Sequence, residues 1–180
     1  RKPKSILEVG VGDKVFGSFI KHNTDIDYKS IDVAPDLKPD ILGDIEKMPL
    51  ADSSYDVVCA FEVLEHLPFE KFESAIGEMS RVSRKYVAIS VPHFGPPVQF
   101  LLKIPFLPLI RFAFKIPFPK AHAFNGQHYW EIGKKGFPVS AVREKLLKKH
   151  TIVHEFVPFE NQYHHFFILE KKDTNQHGKL

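Results

Sequence analysis

Short apolar runs alternate with longer polar stretches along the chain, and turn-forming residues mark the ends of the runs. Apolar runs of this length, bounded by glycine, proline or aspartate, predict buried strands. The predicted strands cover residues 5–9, 28–33, 40–42, 55–60, 86–91, 151–157 and 164–170. The pattern therefore indicates seven strands spread over most of the chain.

Helical periodicity occurs between several of these strands. Residues 69–84 place apolar side chains three or four positions apart, and residues 13–21 and 140–149 predict two further helices. Strands that alternate with helices form a mainly parallel sheet. The linker 158–163 is hairpin-like, so one of the last two strands should be antiparallel. We therefore predict an α/β, Rossmann-like three-layer sandwich, with a seven-stranded, mostly parallel sheet and an antiparallel C-terminal strand.

The composition fits one domain, residues 1–180. Hydrophobic residues make up 43% of the 180 residues and charged residues 26%, an ordinary globular balance. The net charge of +3 is too small to indicate a nucleic acid partner. The single cysteine, Cys59, excludes an internal disulfide and fits a cytoplasmic protein. No signal peptide is visible, and because the first strand begins at Ser5 we expect that an N-terminal segment is missing.

Two glycines follow the first strand, at the edge of the sheet where ligands bind. Gly10 and Gly12 allow a tight turn and a close approach of a ligand to the backbone. Asp32 ends the second strand about 20 residues later, where an acid can accept hydrogen bonds from ribose hydroxyls. The dinucleotide fingerprint needs a third glycine, but position 15 is Val15 and Gly17 comes late. The pattern leaves room for a nucleoside cofactor without phosphates.

Five short motifs follow one another in the first half of the chain: "EVGVG" at 8–12, "SIDVA" at 30–34, "GD" at 43–44, "YDVV" at 55–58 and "VLEH" at 63–66. In this combination, residues 6–91 resemble the class I S-adenosylmethionine-dependent methyltransferases, in particular those similar to methyltransferase type 11. The family often has a third glycine two residues after the second, where this chain has Lys14. The resemblance implies methyl transfer from S-adenosylmethionine.

The resemblance also implies which residues would bind the cofactor. Asp32 would hold the ribose hydroxyls, and Asp44 would accept a hydrogen bond from the adenine amino group. Glu8 would orient the glycine loop or the amino group of the methionine. The full set of expected cofactor-binding residues is Glu8, Gly10, Gly12, Asp32, Val33, Asp44, Ile45, Phe61, Glu62 and His66.

The implied reaction is an in-line attack by a nucleophile on the methyl group of the sulfonium. The protein mainly has to align the partners and exclude water, and it needs a base only for a hydroxyl or a protonated amine. Histidine titrates near neutral pH, and we expect His93 and His128 to be the catalytic residues. We expect no metal site, because neither "HYWE" nor the adjacent pair His164 and His165 has the spacing of a standard metal motif.

Two motifs that the sequence lacks limit the classes of molecule that could accept the methyl group. "AFEV" follows the fourth strand, where adenine amino methylases carry an Asn/Asp-Pro-Pro-aromatic motif, and there is no Pro-Cys element like that of base C5 methylases. Both differences point away from nucleic acid bases. We therefore expect a small-molecule acceptor with an oxygen or nitrogen nucleophile, with an apolar or lipid-like molecule as one option.

An apolar insertion at about 94–124 interrupts the pattern of strands and helices. It is rich in Phe and Leu and contains several prolines and basic residues, which exclude a membrane-spanning helix. Three interpretations are open: a lid over the substrate, a surface that touches a membrane or a lipid-like acceptor, and a helical insert packed on the sheet.

The sequence therefore predicts a cytoplasmic, class I S-adenosylmethionine-dependent methyltransferase. One rival is a nicotinamide-dependent Rossmann oxidoreductase, which the missing third glycine and the final hairpin disfavour. The other is a non-catalytic, methyltransferase-like binding module at a membrane surface. The sequence does not predict the oligomeric state.

Overall fold

The computed structural model of the chain describes residues 2–118 and 120–172. Its main sheet contains seven strands: β1 (Ser5–Val9), β2 (Asp27–Asp32), β3 (Ile41–Leu42), β4 (Tyr55–Phe61), β5 (Ser83–Pro92), β8 (His150–Phe156) and β9 (His164–Lys171). A hairpin, β6 (Pro97–Leu102) and β7 (Ile110–Lys115), forms a second, two-stranded sheet. The helices are α1 (Val15–Asn23), α2 (Phe72–Val82) and α3 (Val139–Leu147).

The strand order in the main sheet is β3-β2-β1-β4-β5-β9-β8. The strands β1 to β5 pair in parallel with their neighbours, and β9 is antiparallel to both β5 and β8. The predicted fold class, including the antiparallel C-terminal strand, is confirmed. The strand order reverses direction between β1 and β4, and such a reversal opens a crevice at the carboxyl ends of the strands.

Side chains of β1 alternate between two hydrophobic cores. Leu7 and Val9 pack in the larger core with residues of α2 and α3, whereas Ile6 packs with Ile20 of α1 on the opposite face. This alternation follows from the two-residue period of a strand. Helices therefore cover both faces of the sheet, which gives the three layers.

Element boundaries differ from the prediction where local chemistry intervenes. The predicted helix 69–84 is a 3-10 turn at Phe69–Lys71 followed by α2, which ends at Val82. The chain then enters β5 at Ser83, three residues before the predicted start. The periodicity of the sequence could not separate these states, because the last apolar side chain of α2 and the first of β5 belong to one core.

The insertion contains a β-hairpin that projects from the sheet. Gln99 pairs with Ala113 and Leu102 with Ile110 in its antiparallel ladder, and all six residues of β6 are exposed. The interpretation of a helical insert packed on the sheet is therefore wrong. Proline keeps this segment from a helix, and its β-branched and aromatic residues favour an extended chain. Among the described residues, no helix has the length and apolar character needed to cross a bilayer.

Lys14 replaces the third glycine of the family's loop and adopts the glycine conformation. Its φ is 65°, in the left-handed region, and it immediately precedes α1. The fold therefore keeps the turn, although a residue with a Cβ is strained there.

We predict that Lys14→Gly stabilises the protein by about 0.5–1 kcal/mol, because it removes this strain at a modest entropic cost in the unfolded chain. Urea unfolding measures the change. Lys21→Gly, in the last turn of α1, is the control and should destabilise, because this residue has helical backbone angles that glycine does not favour. Equal destabilisation by both substitutions would contradict the assigned backbone conformation.

Candidate functional site

A cavity of about 470 Å³ opens at the carboxyl ends of β1, β2 and β4. Its volume lies within the range of small-molecule pockets, about 300–1,000 Å³. Nine of the ten residues expected to bind a cofactor line it: Gly10, Gly12, Asp32, Val33, Asp44, Ile45, Phe61, Glu62 and His66. The topology thus brings together residues that are spread over more than fifty positions in the sequence.

The glycine loop and Asp32 form one hydrogen-bonded unit. The backbone N–H of Val11 donates to Oδ2 of Asp32 over 2.8 Å, and that of Ala34 donates to Oδ1 over 2.9 Å. Gly10 has a φ of 81°, and a Cβ at this position would collide with the side chain of Val63. Because each carboxylate oxygen accepts more than one hydrogen bond, Asp32 keeps acceptor capacity for a ligand hydroxyl.

Apolar and polar side chains flank the opposite end of the cavity. Val33 is 64% exposed although it is apolar, and Ile45 is buried, so both offer flat contact area to a ring. Oδ1 of Asp44 accepts from the N–H of Glu46 over 2.8 Å, which fixes the carboxylate beside them. A planar, weakly polar ligand group with a hydrogen-bond donor at its edge fits this arrangement.

Glu62 lines the cavity on the side that faces β9. It adopts a left-handed φ of 55°, and its Oε1 accepts from the hydroxyl of Ser90 over 2.8 Å. Nδ1 of His164 lies 2.9 Å from the same oxygen. A strained backbone at a ligand cavity is a recurrent feature of functional sites.

Glu8 lies away from the cavity. It is buried on the α1 face of the sheet and accepts a hydrogen bond from the hydroxyl of Tyr28. Burial raises the pKa of the Glu8 carboxyl, despite this hydrogen bond. Because the side chain of Glu8 points to the other face of β1, any effect on the glycine loop is exerted through the backbone.

A cluster of acids and histidines lies at the rim of the cavity. His66, in the 3-10 turn after β4, lies with its ring centroid 5.1 Å from that of His128. Nε2 of His128 is 4.0 Å from Oε1 of the buried Glu65, and its Nδ1 is 3.3 Å from Oε1 of Glu131. Burial, and then the charges of Glu62 and Glu131, raise the pKa of Glu65 to about 8.

Trp130 holds the segment that carries His128 against the core. Its ring is fully buried, its Nε1–H donates to the carbonyl of Leu67 over 3.1 Å, and it packs edge-on against Phe69 and Phe72. In addition, the N–H of Tyr129 donates to the carbonyl of Glu65. These contacts fix His128 beside the turn of residues 64–66.

His93 belongs to a different group of side chains, outside the wall of this cavity. Its Nδ1 lies 3.0 Å from Nδ1 of His165, whose Nε2 lies 2.8 Å from Oε1 of Glu155. Arg143 holds Glu155 in turn with two hydrogen bonds of 2.8 Å. Burial, and then the charges of Lys115 and His165, lower the pKa of His93 to about 3, so its ring is neutral at pH 7.

Two further cavities, of about 700 and 610 Å³, lie beneath the hairpin. Both are lined by His93, Phe94, Lys115 and Gln162. Burial lowers the pKa of Lys115 to about 8. The base of the hairpin therefore borders a mostly apolar space that is lined by one histidine and, in the larger cavity, by Lys115, Lys134 and Lys135.

Tyr163 connects the cavities beneath the hairpin to the rim cluster. It lines the smaller of the two, and its neighbour His164 contacts Glu62 in the wall of the first cavity. Burial, and then the charges of Glu131, Glu62 and Glu65, raise the pKa of Tyr163 to about 12. The first cavity and the space beneath the hairpin are thus neighbours across the pair formed by Glu62 and His164.

The sequence did not single out Glu65, Glu131 or Glu155 as site residues. Glu65 stood within a quoted motif, and Glu131 within a loop noted for its histidines, but a carboxylate in a polar stretch carries no sign of its burial. The contact between Glu155 and His165 depends on the register of β8 and β9, which only the folded sheet defines.

Comparisons with known proteins agree with this geometry. Residues 7–89 match the model of a family described as methyltransferase domain. The fold is similar to that of the PH0226 protein from Pyrococcus horikoshii, at 11% identity over 96% of this chain and 83% of the other, with a TM-score of 0.63. No curated protein matches the sequence.

Two further solved structures share the fold. One is the 1,6-didemethyltoxoflavin-N1-methyltransferase of Burkholderia thailandensis, crystallised with 1,6-didemethyltoxoflavin and S-adenosylhomocysteine, at 13% identity over 96% of this chain and 72% of the other, with a TM-score of 0.64. The second is a complex of the Haloferax volcanii Trm112 methyltransferase activator with a methyltransferase, at 10% identity over 97% and 84%, with a TM-score of 0.65.

Proposed function

We propose that this chain is a class I S-adenosylmethionine-dependent methyltransferase that methylates an oxygen or nitrogen atom of a small, apolar molecule. Residues 7–89 match a methyltransferase domain, and the fold is shared with solved methyltransferases. The observation that supports this acceptor is the pair of apolar cavities beneath the hairpin. They neighbour the cavity of about 470 Å³, which we assign to the cofactor and call the cofactor cavity, with Glu62 and His164 at the boundary. For transfer, the acceptor atom would have to reach past these two side chains to within about 3–3.5 Å of the methyl carbon.

The residues that line the cofactor cavity would hold S-adenosylmethionine in the following way. Asp32 would accept from the ribose hydroxyls, and the φ of 81° at Gly10 would let the methionine lie against the loop. Val33 and Ile45 would pack on the adenine, while Asp44 would accept from its amino group. Glu62 and Phe61 would border the methionine, and His66 would close the wall.

S-adenosylmethionine supplies a methyl group that is already activated by the positive charge on sulfur. A lone pair of the acceptor forms the new bond to the methyl carbon, and the electron pair of the broken carbon–sulfur bond returns to sulfur. The chain aligns the two molecules and keeps water out of the space between them. Where the acceptor carries a proton, that proton has to leave the reacting atom.

His93 is the residue proposed to take that proton, and because its pKa is about 3 the ring has to pass the proton on to solvent rather than hold it. In the chain of contacts to Glu155, Nε2–H of His165 donates to the carboxylate and Nδ1–H of His93 donates to Nδ1 of His165. This pairing leaves Nε2 of His93 with a free lone pair beside the cavities beneath the hairpin. His128, at the rim of the cofactor cavity, is the second residue proposed to take part in the reaction.

The rival functions have less support. A dinucleotide would need a pyrophosphate seat at the start of α1, where Lys14 and not glycine occupies the turn. A nucleic acid acceptor is disfavoured by the net charge of only +3.

A cytoplasmic location is in keeping with the single free cysteine, Cys59.

Asp32→Ala should weaken binding of S-adenosylhomocysteine by about 1–3 kcal/mol, the cost of leaving buried polar partners without their acceptor. Calorimetric titration gives the dissociation constant, with NADH as the comparison ligand. Asp36→Ala removes an exposed acid from the next turn and should leave affinity unchanged. An unchanged dissociation constant for Asp32→Ala would show that this residue does not bind the cofactor.

The methyl-transfer step can be followed with methyl-labelled S-adenosylmethionine and a panel of apolar phenols, alcohols and amines. His93→Ala should lower the rate on the best acceptor by about 10²–10⁴-fold, the usual contribution of a proton acceptor. Binding of S-adenosylhomocysteine should stay within about twofold, because His93 lies outside the cofactor cavity. Labelling of nucleic acid but of no small molecule would overturn the proposed acceptor class.

We propose that the hairpin binds an anionic lipid surface and that the acceptor comes from this surface. Apolar side chains are exposed along both strands, and Phe106 in its connecting loop is wholly exposed. The segment 94–124 contains Lys103, Arg111, Lys115 and Lys120 but no acidic residue. Exposed apolar area of this kind marks an interaction site, and the basic side chains complement anionic headgroups.

Phe106→Ser should lower binding to vesicles of phosphatidylcholine with roughly 30% phosphatidylserine by at least about tenfold, because the loop loses its most exposed apolar group. Co-sedimentation measures the bound fraction. Phe19→Ser, at an exposed position of α1, is the matched control and should bind like the native protein. If the native protein does not bind vesicles and instead forms dimers that Phe106→Ser abolishes, the hairpin binds a second molecule of this protein and the lipid proposal is wrong.

A further inference from the structure

The rim cluster contains three side chains whose free ligand atoms converge. One oxygen or ring nitrogen from each of Glu65, His66 and His128 lies within 4.8 Å of the other two. Around a tetrahedral Zn²⁺ with bonds of about 2.0–2.2 Å, ligand atoms lie roughly 3.3 Å apart. Small rotations of these side chains would therefore bring the three atoms to coordinating positions.

Glu65 is a buried acid whose side chain has no hydrogen-bond partner in the described part of the chain. It has no exposed surface, and neither of its carboxylate oxygens has a hydrogen-bond partner among residues 2–118 and 120–172. A buried carboxylate is normally hydrogen-bonded, paired with a cation or bound to a metal. The nearest candidate is Nε2 of His128, at 4.0 Å, which is beyond hydrogen-bond distance.

Both histidines are oriented as metal ligands usually are. Nδ1 of His66 lies 3.1 Å from the carbonyl of Gln127, and Nδ1 of His128 lies 3.3 Å from the carboxylate of Glu131. Hydrogen bonds at Nδ1 fix the tautomer in which Nε2 carries the free lone pair. Hence the two unprotonated nitrogens are the ones left to face the carboxylate of Glu65.

We propose that Glu65, His66 and His128 bind one divalent cation, with Zn²⁺ as the probe, and that this cation binds the hydroxyl group of the acceptor. Two imidazoles and one carboxylate are a ligand set of catalytic zinc sites, which keep a coordination position open. The negative charges of Glu62 and Glu131 nearby add to the attraction for a cation.

The cation site deepens the proposed function, on which it rests, by selecting oxygen over nitrogen as the methyl acceptor. A divalent cation lowers the pKa of a bound hydroxyl, so the oxygen gives up its proton more easily and attacks as an oxyanion. The proton passes to water, the oxygen forms the bond to the methyl carbon, and the electron pair of the broken carbon–sulfur bond returns to sulfur. His66 lies in the wall of the cofactor cavity, which places the site beside the donor.

The test is a calorimetric titration of the chelator-treated full chain with Zn²⁺ alone. We expect one ion per chain at micromolar or tighter affinity, weakened at least about tenfold in Glu65→Gln and in His66→Gln. Glu65→Gln keeps the shape of the buried side chain, and His66→Gln changes an exposed residue, so both variants should fold. His22→Gln, which removes an exposed histidine on α1, should bind Zn²⁺ like the native protein.

Failure of this proposal differs from failure of the proposed function. Absence of Zn²⁺ binding, or equal binding by the native protein and Glu65→Gln, would overturn the cation site. S-adenosylhomocysteine titrated into Glu65→Gln should bind within about threefold of native affinity, since Glu65 does not line the cofactor cavity. Loss of S-adenosylhomocysteine binding by the native protein itself, with Zn²⁺ still bound, would instead overturn the proposed function.

Discussion

The hydrogen bond from the N–H of Val11 to the carboxylate of Asp32 ties the ends of two neighbouring strands together, and the geometry of the site depends on it. β1 and β2 run parallel, so their carboxyl ends meet at one edge, but parallel pairing alone leaves the loops beyond the strands free. The contact at Asp32 holds the glycine loop in a single position. Glu62 and the turn of residues 64–66 follow β4 on the other side of the same loop, where Val63 packs against Gly10.

From this fixed edge, the site extends in two directions. Toward α2, the buried ring of Trp130 carries His128 next to Glu65 and His66. Toward β9, Glu62 contacts His164, and the neighbouring strand positions carry His165 and His93. Each group lies on an element of the rigid sheet or is packed against it, so the reactive side chains are held in place before any ligand binds.

Much of the sheet could be predicted from the sequence, because strand periodicity and the alternation of strands with helices are local features of the chain. Nine residues that line the cavity at the strand ends could be named as well, since they follow strands in recognisable motifs, and their binding of the cofactor stays a prediction. The hairpin could not, because its Phe, Leu and Ile residues give the same apolar signal whether they are buried or exposed. The rim cluster was also missed, because Glu65 and His128 are 63 positions apart and no motif spacing links them. Glu65 looks like an ordinary polar residue in the sequence, and only the folded chain shows that it is buried with no hydrogen-bond partner among the described residues.

The position of the hairpin also bears on how such enzymes diversify. Pro97 and Lys115 pair with each other, so the chain leaves the sheet and returns at nearly the same point. Deletion, lengthening or replacement of the residues between them would leave the strand order and the cofactor loop untouched. Selection can therefore act on this segment separately from the rest of the domain, and under the proposed function a change in this single excursion of the chain would change the acceptor but not the donor site.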